Sequence, residues 1–133
     1  MRAETFASLR LTLLGLTGLG CVAYALAAVA TGRADPVAWY WPSALGLACG
    51  ALIALASRAA GGRASRAATD ELYWAVWGRA QGQAYWASMA IFALFAVLGS
   101  TGVVAWPVAV AAMGCLMGAA FLLLFVLNDL RMR

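Results

Sequence analysis

Apolar residues in this chain run in four long blocks, separated by short polar or glycine-bearing segments. The blocks cover roughly residues 11–31, 37–57, 84–101 and 104–127, and none carries a charged side chain near its middle. A helix rises about 1.5 Å per residue, so about 20 apolar residues span a hydrocarbon layer of about 30 Å. A helix also satisfies its own backbone hydrogen bonds where no water is available to do so. The pattern therefore predicts an all-α fold: an integral membrane four-helix bundle of two hairpins, in a single transmembrane domain over residues 1–133.

Turn and interface residues punctuate the blocks. The first helix ends at Thr31-Gly32, and Arg33-Ala34-Asp35-Pro36 forms a tight turn in which Pro36 bars helical continuation. Trp39, Tyr40 and Trp41 follow, amphipathic rings that prefer headgroup depth, with Pro42 in the first turns of the second helix. The second helix runs to Ser57-Arg58, and Ala59–Ala68 reads as an exposed basic loop. Thr69 can cap a third helix, whose first turn carries Asp70 and Glu71 at the positive end of the helix dipole. This helix is expected over 70–101. Its interfacial start carries Tyr73, Trp74 and Trp77 with Arg79, Gln81 and Gln83, and Gly78 and Gly82 permit a bend. Gly99–Gly102 makes a short hairpin before the fourth helix, which opens at Trp106-Pro107 and ends at Asn128-Asp129. Trp41-Pro42 and Trp106-Pro107 each open the second helix of a hairpin. That repetition fits either a duplicated half or the shared preference of Trp and Pro for such helix starts.

Composition sharpens this reading. The chain is 65% hydrophobic and 11% charged, against about 25% charged in a soluble domain, which leaves no polar face for water. All nine basic residues are Arg, and eight of them (all but Arg33) fall at the N-terminus, in the middle loop or at the C-terminus. Four crossings put those three segments on one side, which the positive-inside rule makes cytoplasmic. The expected placement is a bacterial inner membrane with both termini inside. The positive charge then reflects topology, with anionic headgroups as a further attraction, and no nucleic-acid partner is expected. Ala28-Val29-Ala30 resembles a signal-peptide cleavage site, but the apolar run before it exceeds the 7–15 residues of such segments, so a retained first helix is expected.

Candidate sites are sparse. Gly46 and Gly50 form one G-x-x-x-G and Gly114 and Gly118 another, with Ala23 and Ala27 a weaker version. Small residues let helix backbones approach closely, which drives association where lipid is as apolar as the side chains. The partner helix could lie in the same chain or in another protein. Cys21, Cys49 and Cys115 fall near mid-span, with Met113 and Met117 beside the last. Such sulfur ligands suit soft metal ions, but the chain has no C-x-x-C and no His, and each Cys lies three residues from a glycine. Packing is the favoured reading, and no metal or cofactor is expected. The aromatic groups read as belts at the two membrane faces rather than as a ligand cage. No ionisable residue lies inside a span, as proton-coupled transport would require. Asp129 is the nearest carboxylate, expected to pair with Arg10, Arg58 or Arg131. No nucleophile elbow, phosphate loop or paired carboxylates occur, so no enzyme is expected.

The start of the third helix carries Asp70-Glu71-Leu72, then Ala80, then Ala84-Tyr85 running into an apolar span. This resembles small uncharacterised bacterial inner-membrane proteins in which D-E-L or D-E-R opens the third of four helices. The chain departs from them in placing Tyr73, Trp74 and Trp77 where charged residues are usual. The resemblance implies a four-helix membrane fold and no assigned activity.

The expected role is a non-catalytic accessory subunit. It would dock on a membrane-protein partner, or on copies of itself, through Gly46, Gly50, Gly114, Gly118, Trp74 and Trp77. The alternatives are a small oligomeric transporter or channel and, third, a soft-metal or thiol-handling membrane protein.

Overall fold

A computed structural model describes residues 3–67 and 71–132. The described residues form four α-helices and no strand: α1 (Ala3–Thr31), α2 (Trp41–Ala67), α3 (Glu71–Ser100) and α4 (Trp106–Met132). All four are long and apolar enough to cross a membrane.

The helices depart from the apolar blocks at their ends, for local reasons. α1 starts well before Leu11, because Glu4 complements the dipole in its first turn and Phe6 and Arg10 are buried by tertiary packing. α2 begins at Trp41 rather than Val37. The Trp41 amide donates to the Ala38 carbonyl at 3.1 Å, and Pro42 then occupies a first-turn position that needs no donor. At its other end α2 continues to Ala67 through what the sequence presents as an exposed loop. Ala59, Ala60, Ala64 and Ala67 are strong helix formers, and the segment yields only at Gly61. There the backbone takes φ 80°, ψ 157°, a conformation essentially confined to glycine, and the helix kinks. Thr69 and Asp70, the expected cap, lie outside the described residues, as do Arg2 and Arg133. α3 passes Gly78 and Gly82 without a break.

At one end of the molecule lie the α1–α2 and α3–α4 turns. α1 closes in a Schellman motif: Gly32 (φ 64°) donates to the Val29 carbonyl at 3.3 Å and Arg33 to that of Ala28 at 3.2 Å. Tyr24 secures the turn, its one hydroxyl proton shared between the carbonyls of Ala34 (3.3 Å) and Ala38 (3.4 Å). Gly102 (φ 73°) turns the chain between α3 and α4. The opposite end carries the described arginines Arg10, Arg58, Arg66, Arg79 and Arg131, and is called the basic end below.

The helices pack in the order α2–α1–α4–α3, an open row rather than a closed ring. α4 lies between α1 and α3, whereas α2 packs along α1 and has Cys49 as its one buried described side chain. The two hairpins are therefore not equivalent in packing, although both second helices open at Trp-Pro. Leu11, Val76, Ala80 and Phe125 form a buried cluster towards the basic end, and Ala25, Phe95, Ala109 and Ala112 form another towards the turns. Ala28 is wholly buried, so the first helix is packed up to its last turn. Close approach relies on other glycines than the motifs suggest. A Cβ at Gly18 would fall 2.9 Å from Leu123, one at Gly20 3.1 Å from Leu45, and one at Gly99 3.1 Å from Trp106.

Gly18→Ala is expected to lower stability by about 1–3 kcal/mol through overpacking against Leu123. Gly46→Ala should be neutral or should stabilise by up to about 1 kcal/mol through helix propensity. Thermal unfolding of both variants in the same detergent checks the contrast.

Candidate functional site

Three regions could carry a function: the glycine faces, the mid-span cysteines and the basic end. The glycine faces are open. A Cβ added at Gly46, Gly50, Gly114 or Gly118 would meet nothing within 4 Å. Neither of these two G-x-x-x-G motifs thus packs on a helix of the same chain, and of the two partners the sequence allows, the intramolecular one is not used. Gly78 and Gly82, a third pair at this spacing, face equally open space on α3.

The cysteines do not gather as a group of three. Cys21 and Cys49 are buried, Cys115 is half-buried, and all three are free thiols. Among the described residues no three side chains of His, Cys, Asp or Glu come together as a metal site would require. Cys21 shares a packed face with Gly18, as its spacing suggests. Gly46 and Gly118, the glycines near the other two, do not pack. A small cleft of about 60 Å³ lies between α3 and α4, lined by Phe92, Phe95, Trp106, Val110 and Met113 among others. Its lining is wholly apolar, so it offers shape and no chemistry.

The basic end holds the densest arrangement of polar and aromatic groups. Arg10 is only 6% exposed. Its guanidinium carbon lies 4.3 Å from the Tyr73 ring centroid, 5.9 Å from that of Phe6 and 6.0 Å from that of Phe125, so one cation joins α1, α3 and α4. Such cation–π contacts strengthen when desolvated. The rings also pack on one another. Tyr73 lies edge-on to Phe125 at 5.5 Å, and Trp77 contacts Phe121 at 4.9 Å and Phe125 at 5.9 Å. Asp129 is buried one helical turn beyond Phe125, while Arg58 and Arg131 are exposed. Of the three arginines expected near Asp129, Arg10 is thus the one placed in the same interior. Next to this layer Asn128 donates to Gln83 at 2.6 Å and to the Leu124 carbonyl at 2.9 Å.

Trp74 and Trp77, paired as docking residues by the sequence, separate here. Trp77 is half-buried in the aromatic core, where its ring is engaged within the chain. Trp74 is 61% exposed, with its ring edge-on to Tyr73 at 5.3 Å. Trp39, Tyr40, Trp41 and Trp106 stand exposed at the turn end, and Tyr85 and Trp86 are exposed at the middle of α3. The Arg10 layer and the Gln83–Asn128 pair were not singled out from sequence. The available signal was a polar residue at the same edge of three apolar runs: Arg10, Gln83 and Asn128.

Compared with known proteins, the chain matches no family model, no curated protein and no solved structure. The functional reading therefore rests on these residues alone.

Gln83→Ala and Asn128→Ala should each cost about 0.5–1.5 kcal/mol. The double variant should cost less than their sum, with a coupling of about 0.6 kcal/mol, the average for interhelical side-chain hydrogen bonds in a membrane-helix bundle. A double-mutant cycle by reversible unfolding in detergent reads this directly.

Proposed function

We propose that the protein is a non-catalytic accessory subunit of a bacterial inner membrane. Both termini are cytoplasmic, and the chain docks on a membrane-protein partner or on further copies of itself. The observation that carries this reading is that all four motif glycines face open space. A glycine in a helix interior costs about 1 kcal/mol relative to alanine, and here none of the four repays that through packing in its own chain. Close approach by another helix would use all four.

Lengths support the membrane placement. From Arg10 to Thr31, Gln83 to Ser100 and Trp106 to Asn128, the helices rise about 25–33 Å at about 1.5 Å per residue, close to a hydrocarbon thickness of about 30 Å. The polar layer at Arg10, Gln83 and Asn128 then marks one boundary, and the Trp-rich turns mark the other. Trp74 is exposed beside Tyr73, whose ring the Arg10 guanidinium contacts at 4.3 Å, so it stands at that boundary. Trp74 joins the glycines as a docking residue, and Trp77 drops out of the set because its ring is engaged internally. The excess of arginine at the basic end supports a cytoplasmic orientation of that end.

Extraction in mild detergent should recover the protein with a larger membrane complex, identified by mass spectrometry. Gly46→Leu or Gly114→Leu should release it while its thermal unfolding stays near wild type. Recovery as a monodisperse homo-oligomer that passes solute in liposomes would overturn the accessory reading. A cytoplasmic C-terminus predicts that a fluorescent-protein fusion there is bright and an alkaline phosphatase fusion inactive. The reverse result would overturn the orientation.

A further inference from the structure

We propose that Arg79 and Arg131 form a binding site for the phosphodiester of an anionic phospholipid, just outside the Gln83–Asn128 pair. The site rests on the reading of that amide pair as a membrane boundary. Asn128 donates to Gln83 at 2.6 Å, which joins α3 and α4 there. Arg79 precedes Gln83 by four residues and Arg131 follows Asn128 by three, so each arginine shares a helix face with its amide. The two helices run in opposite directions, and both steps lead towards the basic end. Right-handed helices of opposite direction turn these steps to the same side of the seam. Side chains also lean towards the N-terminus of their own helix. Arg79 therefore leans outward and Arg131 back inward, and the two converge beside the α3–α4 seam. Both are exposed, and among the described residues neither has a hydrogen-bond or ion-pair partner. Asp129 is buried in the Arg10 layer, and Glu71 stands two turns before Arg79. Two guanidiniums set together without a counter-charge present a fork that suits a phosphate.

The surface inward of the arginines makes the occupant a lipid rather than a free anion. Trp86 lies seven residues after Arg79 on the same face and is 73% exposed. Leu127 lies four residues before Arg131 and is 48% exposed. One helical turn outside the boundary is about 5.4 Å, within a headgroup layer of about 5–8 Å. From the basic end inward the surface therefore runs cation, amide, apolar. A phospholipid runs in the same order, from phosphate through glycerol ester to acyl chain, whereas a free phosphate would use the first part alone. Phosphatidylcholine carries a cation beside its phosphate, which two guanidiniums repel, so the site favours a headgroup of net negative charge.

Native mass spectrometry of the full chain in detergent, titrated with phosphatidylglycerol or phosphatidylcholine, tests this. Wild type is expected to retain phosphatidylglycerol in preference. Arg79→Gln combined with Arg131→Gln should weaken that retention roughly 10- to 30-fold, the worth of two basic residues near an anionic surface. Arg58→Gln combined with Arg66→Gln removes the same charge from α2 at the same end and should leave retention near wild type. Equal losses in the two double variants, or a wild type that does not distinguish the two lipids, would overturn the proposal. Release of the bound lipid by excess inorganic phosphate would overturn the choice of a lipid over a free anion. All four arginines are exposed, so the fold should survive, as thermal unfolding checks. If the first double variant fails to fold, Arg131→Gln alone against Arg58→Gln makes the same comparison. The boundary reading fails separately. With Cys21, Cys49 and Cys115 replaced by alanine, a spin label at Gln81→Cys should show the access to oxygen and to a nickel chelate of a headgroup layer. Values of deep hydrocarbon or bulk water would move the boundary, whatever the lipid titration gives.

Discussion

Helices as apolar as these gain little by hiding from a lipid solvent, so what holds them together must be shape and a few polar contacts. That constraint explains the architecture. α4 can approach α1 closely because Gly18 makes room for Leu123, and it meets α3 where Gly99 accepts the face of Trp106. Alanines fill the seam between these contacts: Ala25, Ala109 and Ala112 are buried almost completely. α2 has one such contact, Gly20 against Leu45, and accordingly sits at the edge of the row with nearly all of its surface open.

The two ends of the row are built on different principles. At the turn end, backbone geometry does the work: left-handed glycines at Gly32 and Gly102 and a tyrosine hydroxyl that gathers two loop carbonyls. At the basic end, side chains do it. A desolvated cation among three rings, with an amide pair beside it, joins three helices that no turn connects there. The rings present their negative faces to this buried charge, which lowers the cost of burying it. The basic end is also where α2 kinks, at Gly61 beyond its apolar run.

Small-residue motifs are read most often as internal packing signals, and this chain shows why the spacing alone does not decide. Gly18, Gly20 and Gly99 belong to no G-x-x-x-G pair, yet each lies against a neighbouring side chain. Gly46, Gly50, Gly114 and Gly118 have the spacing and touch nothing. Helical periodicity tells which residues share a face of one helix. It does not tell which way that face points, because a uniformly apolar helix has no polar side to orient it.

The sequence by itself determined the number of helices, their type and roughly their spans, because the bilayer-length apolar run is a property of each segment taken alone. It also marked the turns, through Gly32, Pro36 and Gly102, since those depend on local dihedral preferences. Only the tertiary structure decided the rest. Helix order, the burial of Arg10, and the engagement of Trp77 against exposure of Trp74 all depend on the rotation of each helix about its axis. That rotation is set by pairwise fits such as Gly18 with Leu123, between residues about a hundred positions apart, and no local pattern encodes them.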